Sequence, residues 1–289
     1  MKKNVYFILV VILSVLNYGC ESSLQKGTKS SIVTNSEAIN NKSTEEKIPL
    51  NLSVFLDMSD RIIKVSDGMV QYEKDLELVK YVTKYFQELV NINKIQKSKD
   101  KIHLFFYPIP NIPEINSIAK NLDIDFGIIP RGAPKKEQAI NLPTQVDKAL
   151  TQIYETTLEN KNWIGSDIWG FFEDKAKDLC IKSGYRNVLI ILSDGYIFYE
   201  NNKQKKGSNY SYITSQTLNT HNSGLIPCSH SDFDTLEVLF LEINAPVKHS
   251  ARIETVIGEW FKNMNIKKYK IVKTDIPANT TKIISSFMN

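Results

Sequence analysis

Oxygen-bearing side chains gather at three places in this chain. Asp57-Met-Ser59-Asp60-Arg61 closes the apolar run 52–56, Ser193-Asp194-Gly195 closes the run 188–192, and Gly165-Ser166-Asp167 opens a helical pattern. Aspartates at strand ends commonly bond local backbone and begin turns, and for either one alone that role suffices. As a pair they mean more, because Ser59, two residues after Asp57, can aim a hydroxyl at the point its carboxylate faces. Hard oxygen donors of this kind suit a divalent cation, Mg2+ first, with Mn2+ or Ca2+ as alternatives.

The elements that must position these groups follow from periodicity. Segments 52–56, apolar but for Ser53, and 188–192, apolar throughout, are of strand length and suit a sheet covered on both faces. Each delivers its aspartate at a carboxyl end, the edge where open α/β sheets bind ligands. Residues 71–89 place Leu76, Val79, Val82, Phe86 and Leu89 at helical spacing. A strand over 101–107 stops at Pro108 and Pro110, and 123–129 holds a short edge strand. Residues 130–143 read as a basic, turn-rich loop, followed by a helix over 144–158 with Thr144 as its cap. A further helix starts at Ser166 or Asp167, carries Ile168, Phe171, Phe172, Ala176 and Leu179 inward, and ends at Gly184. Strands at 236–243 and 268–273 and helices at 252–264 and 279–288 complete the alternation. The fold class expected is α/β, a doubly wound, mostly parallel sheet flanked by helices as a three-layer sandwich. Residues 200–231 form a long polar insertion beside the proposed site.

The start of the chain concerns location. Met1-Lys-Lys precedes an apolar run over 5–16, too short for the ~20 residues that span a bilayer, so a secretory signal is expected. Cys20 after Gly19 resembles the lipid-attachment site of bacterial lipoproteins, with Leu16 one place earlier than the usual box has it. That resemblance implies a signal peptide over 1–20, acylated Cys20, and membrane anchoring in the bacterial cell envelope, on its periplasmic or surface face. Residues 21–47 are polar and poor in large apolar groups, and read as a flexible tether. Cys180 and Cys228 leave two possibilities open, a disulfide or buried free thiols. Lys and Arg exceed Asp and Glu by 36 to 32, but the lysines at 135–136, 203–206 and 267–268 lack an interleaved aromatic code, which argues against a nucleic-acid partner.

Over residues 48–289 the motifs resemble the von Willebrand factor A (vWA) domain family. That family builds a metal-ion-dependent adhesion site from an Asp-x-Ser-x-Ser loop after the first strand, a hydroxyl in a Gly-Thr-Asp-type turn, and an Asp-Gly after the fourth strand. The resemblance implies Asp57, Ser59, Ser166 and Asp194 as metal ligands, with Thr144 the competitor of Ser166, and a protein partner that offers an acidic residue. Residues 109–161 would then be an insertion or a diverged edge of the domain. Arg61 stands at the second Ser position, where a guanidinium cannot ligate a metal. Arg61, Asp60 and Asp167 are therefore expected to face a partner or to replace the cation. In one alternative the scaffold is metal-free and Arg61 pairs with Asp57 or Asp194. A metal-dependent hydrolase is the other, but Asp-x-Asp and Gly-x-Ser-x-Gly are absent and the four histidines make no triad or zinc motif, so binding rather than catalysis is expected.

Overall fold

The computed structural model describes residues 47–161, 165–220 and 223–289. The segment expected to be a signal peptide, Cys20, and the expected tether up to residue 46 lie outside them. The main sheet has six strands: β1 (Leu50–Leu56), β2 (Lys101–Phe105), β3 (Asp123–Asp125), β4 (Arg186–Leu192), β5 (Leu236–Ile243) and β6 (Lys268–Lys273). Its helices are α1 (Gln71–Ile92), α2 (Pro113–Ala119), α3 (Ala133–Asn160), α4 (Ile168–Asp174), α5 (Ala176–Cys180), α6 (Ser215–Leu218), α7 (Val247–Asn263) and α8 (Pro277–Met288).

The strand order is β6-β5-β4-β1-β2-β3. All neighbours are parallel except β3, which runs antiparallel to β2. Chain order therefore reverses at β1, and the crevice beyond the carboxyl ends of β1 and β4 is the switch point of a doubly wound sheet. The period-2 alternation divides the apolar residues between two layers. Leu52, Val54, Leu56, Val188, Ile190 and Leu192 pack beneath residues of α1, α3 and α8, while Phe55, Leu189, Ile191, Val238 and Phe240 meet α4, α5 and α7. Each fully buried side chain of this size contributes about 1.5–3 kcal/mol before entropy is counted.

Two expectations from sequence are corrected here. Residues 133–143 are helical, not a loop: α3 starts beyond Gly132 and runs through Pro143. Proline at 143 removes the N–H that would reach the Ala139 carbonyl. Gln87 on α1 supplies the missing donor, its Nε2 lying 2.6 Å from the Ala139 carbonyl oxygen and 3.1 Å from that of Ile140. The helix over 166–184 is in fact two short helices, α4 and α5, divided at Lys175, and Gly184 sits in a later turn at φ 78°.

The stretch 109–161 forms the edge and flank of the sheet, since Ile115, Leu122, Ile124, Leu142, Leu150 and Ile153 are all buried in the main core. The segment after β4 is packed as well. Phe198–Tyr199 pairs with Gly165–Ser166, Lys205–Lys206 pairs with Asn209–Tyr210, and Ile197, Ile213, Leu225 and Phe233 join the second core. Cys180 and Cys228 are free and buried, and burial pushes the Cys180 thiol up to about 12. No helix among the described residues is long and apolar enough to cross a membrane.

Candidate functional site

The register of β1 with β4, Leu56 opposite Leu192, carries the next residues of both strands to the rim side by side. Asp57 is fully buried there. Its Oδ1 accepts the Ser59 backbone N–H at 2.9 Å and its Oδ2 accepts the Ser193 hydroxyl at 2.7 Å. Asp194 is 4% exposed, and its carboxylate accepts the Tyr196 N–H at 3.1 Å and the Lys64 ammonium at 3.2 Å. Burial, and then the neighbouring charge of Asp57, push the Asp194 pKa up to about 6, against the pull of Lys64 and Arg61. An open cavity of about 500 Å³ lies over these groups, lined among others by Ser59, Asp60, Lys64, Gly165, Asp194 and Tyr196.

The third loop thus reaches the same cavity. Gly165 holds φ 93°, and a Cβ there would stand 2.0 Å from the Phe198 carbonyl oxygen, so only glycine lets this turn pair with Phe198–Tyr199. Ser166 follows, 3% exposed, and its Oγ is a buried polar atom without a hydrogen-bond partner. Thr144 lies inside α3, not in a loop, which removes it as the competitor.

Arg61 is turned inward and not toward a partner, and of the two carboxylates expected to pair with it in the metal-free alternative it reaches Asp57, with its main partners elsewhere. Ser59 caps the short turn Asp60–Ile63, and from that turn Arg61 points inward with 1% exposure. Its Nη2 lies 2.6 Å from Asp75 Oδ2 and 2.8 Å from the Leu192 carbonyl oxygen, and its Nε lies 3.0 Å from the Asp57 carbonyl oxygen. The Asp57 carboxylate is a looser neighbour at 3.7 Å. Asp75 also accepts the Tyr154 hydroxyl at 2.8 Å and Gln71 Nε2 at 3.1 Å. Burial opposes charge on this arginine, yet Asp75 and then Asp57 hold its pKa above the ordinary guanidinium value. Arg61 is a bolt under the loop, joining the ends of β1 and β4 to α1.

Asp167 is corrected in the same way. Its carboxylate caps α4 by accepting the Gly170 N–H at 2.8 Å and takes both contacts of Asn202 Nδ2, at 2.8 and 3.0 Å, so it is spent inside the fold. Burial raises its pKa. Asp60 alone of the three stays open to a partner, with its side chain 62% exposed.

Sequence reasoning missed Lys64 and gave no site role to Ser193 or Tyr196. Lys64 sits four residues after Asp60, the spacing of a turn neighbour, and contacts it at 3.8 Å. Ser193 stands beside Asp57 through the parallel register of β1 and β4, which no local pattern in the sequence reveals. Tyr196 lines the cavity while its hydroxyl meets His249 Nδ1 at 3.0 Å. Asn219 donates its Nδ2 to the Ser215 carbonyl at 2.8 Å, so its Oδ1 faces His249 Nε2 at 3.4 Å. An Nε2–H tautomer satisfies both ends, with the Tyr196 hydroxyl donating to His249 Nδ1.

Among the described residues no group of three or more His, Cys, Asp or Glu is placed to hold a metal ion. A cation at this rim would depend on hydroxyls beside the carboxylates. The donor set fits in two respects: Ser166 Oγ lacks a partner, and the ammonium on Asp194 belongs to a half-exposed lysine that can swing away.

No protein-family model matches this chain, and no curated protein matches it. Among solved structures the pilus adhesin SpaC from Lactobacillus rhamnosus GG is similar at TM-score 0.39, with 13% identity, covering 84% of this chain and 30% of that one. The chain thus spans less than a third of that adhesin, and a likeness this loose carries no argument about function.

Proposed function

We propose that residues 48–289 are a vWA-type protein-binding module, carried on a lipid-anchored envelope protein through Cys20, and that its partner docks at the rim over Asp57 and Asp194. The observation that carries this reading is the convergence of three loops, distant in sequence, on one open cavity at the switch point of the sheet. Binding rather than catalysis is the reading taken, because the Ser193 hydroxyl that pairs with Asp57 is fully buried together with it, away from any substrate in the cavity. In this reading Ser59, Ser166 and Asp194 would hold a divalent cation, Mg2+ by preference, with Asp57 acting through water. The ion would offer an open coordination position to an acidic group of the partner. Lys64 then competes with the ion for Asp194.

A second reading rests on Lys64 itself. Its ammonium lies 3.2 Å from Asp194 and 3.8 Å from Asp60, where it neutralises the rim without a metal. In this version Lys64 joins Arg61 in supplying the positive charge that a cation would bring. Isothermal titration with Mg2+ separates the two. The cation reading predicts binding by the parent, loss in Asp194→Ala, and affinity about tenfold higher in Lys64→Met, since one competing surface charge is removed. Binding by Lys64→Met and none by the parent would favour the metal-free reading; no binding by either, in folded protein, would remove the cation.

A further inference from the structure

The segment between Tyr196 and Asn219 carries Lys203, Lys205 and Lys206 against a single acidic residue, Glu200. All three lysines are exposed, and none meets a carboxylate among the described residues. Two of them stand over aromatic rings instead. Lys203 Nζ lies 5.6 Å from the centre of the Phe198 ring, and Lys205 Nζ lies 5.1 Å from that of Tyr210. Such contacts orient an ammonium without neutralising it.

The rings form a continuous line. Phe198, which lines the rim cavity, packs edge-on to Tyr212 at 6.3 Å, and Tyr212 meets Tyr210 at 5.2 Å. Tyr210 belongs to the hairpin that pairs Lys205–Lys206 with Asn209–Tyr210. An aromatic track edged with unneutralised lysines therefore runs from the hairpin into the cavity.

We propose that this track receives an acidic, extended segment of a protein partner, its carboxylates on Lys203, Lys205 and Lys206 and its apolar groups on Phe198, Tyr210 and Tyr212. The inference rests on the reading of the rim as a docking surface, and it does not require the cation. Charge complementarity selects the acidic segment. The shape of the place selects a protein over an anionic membrane, because the track leads into a cavity of about 500 Å³ that an extended segment can enter and a flat bilayer surface cannot.

The test is fluorescence anisotropy of the soluble domain with a labelled peptide of alternating glutamate and leucine at low salt. Removing three favourable surface pairs in the combined Lys203→Ser, Lys205→Ser, Lys206→Ser variant is expected to weaken binding about tenfold. The same change at the exposed lysines Lys80, Lys84 and Lys136, on the helices of the other layer, is expected to cost less than about twofold. Equal losses in the two variants, or a parent that ignores the peptide, whether or not it sediments with phosphatidylserine vesicles, would overturn the proposal. Mg2+ titration of the hairpin variant separates the two claims: loss of peptide with Mg2+ binding retained supports both, and loss of peptide in a protein that never binds Mg2+ sinks the cation alone.

Discussion

Arg61 stands where the resembled motif has its second serine, and its geometry decides which experiments on the loop can be read. Its guanidinium is the main partner of the buried Asp75 carboxylate, with both side chains at or below 1% exposure. Removing one member of such a pair strands the other in low dielectric, so Asp75→Ala is predicted to cost about 3–5 kcal/mol in urea unfolding, and Arg61→Ser a similar amount. Ser59→Ala should stay within about 1 kcal/mol, because its cap contact to the Arg61 N–H is long, at 3.5 Å. Asp194 gives a pH signature. Folding raises its pKa from 3.8 to about 6, so between those values the native chain keeps a proton that the unfolded chain has released. Stability without added metal therefore falls as pH rises through that window, and Asp194→Asn should flatten the slope in unfolding midpoints measured from pH 4 to 7. Asp57, Ser59 and Asp194 were legible because strand-end carboxylates with a nearby hydroxyl form a local pattern. The inward turn of Arg61 was not, since its partner Asp75 is remote on α1 and nothing in the spacing couples them. Lys64 escaped notice for a similar reason: its partner Asp194 is 130 residues away.

At the level of elements, the sequence spoke most clearly where one periodicity ran without interruption. Strands 236–243 and 268–273 have the predicted bounds, and α1 begins at the predicted Gln71. It misled where a local breaker was overruled by a tertiary contact. Pro143 signals a helix start, and the chain runs helical through it because Gln87 reaches across from α1 to the carbonyl left without a donor. That explanation predicts a coupling. Gln87→Ala should cost about 1 kcal/mol in the parent and close to nothing in a Pro143→Ala background, where the backbone N–H at 143 returns to bond Ala139. Equal costs in both backgrounds, measured by thermal unfolding, would reject the compensation.

On the scale of the whole molecule, the α/β class and the two-layer burial follow from alternating apolar strands and amphipathic helices. The strand order does not, because parallel pairing leaves no local signature and β3, three residues long, has almost none. That order is what brings Asp57, Gly165 and Asp194 to one rim. The same packing holds Cys180 and Cys228 buried and free, and both should resist a thiol reagent in the native protein and react once unfolded in denaturant. The central claim, that the rim is a cation-dependent docking site, is tested most directly by diffraction from crystals of the soluble domain grown with Mn2+. The account predicts an anomalous peak bounded by Ser59, Ser166 and Asp194, with Lys64 displaced from Asp194. A rim without a peak, with the Lys64 ammonium still seated on Asp194, would contradict it.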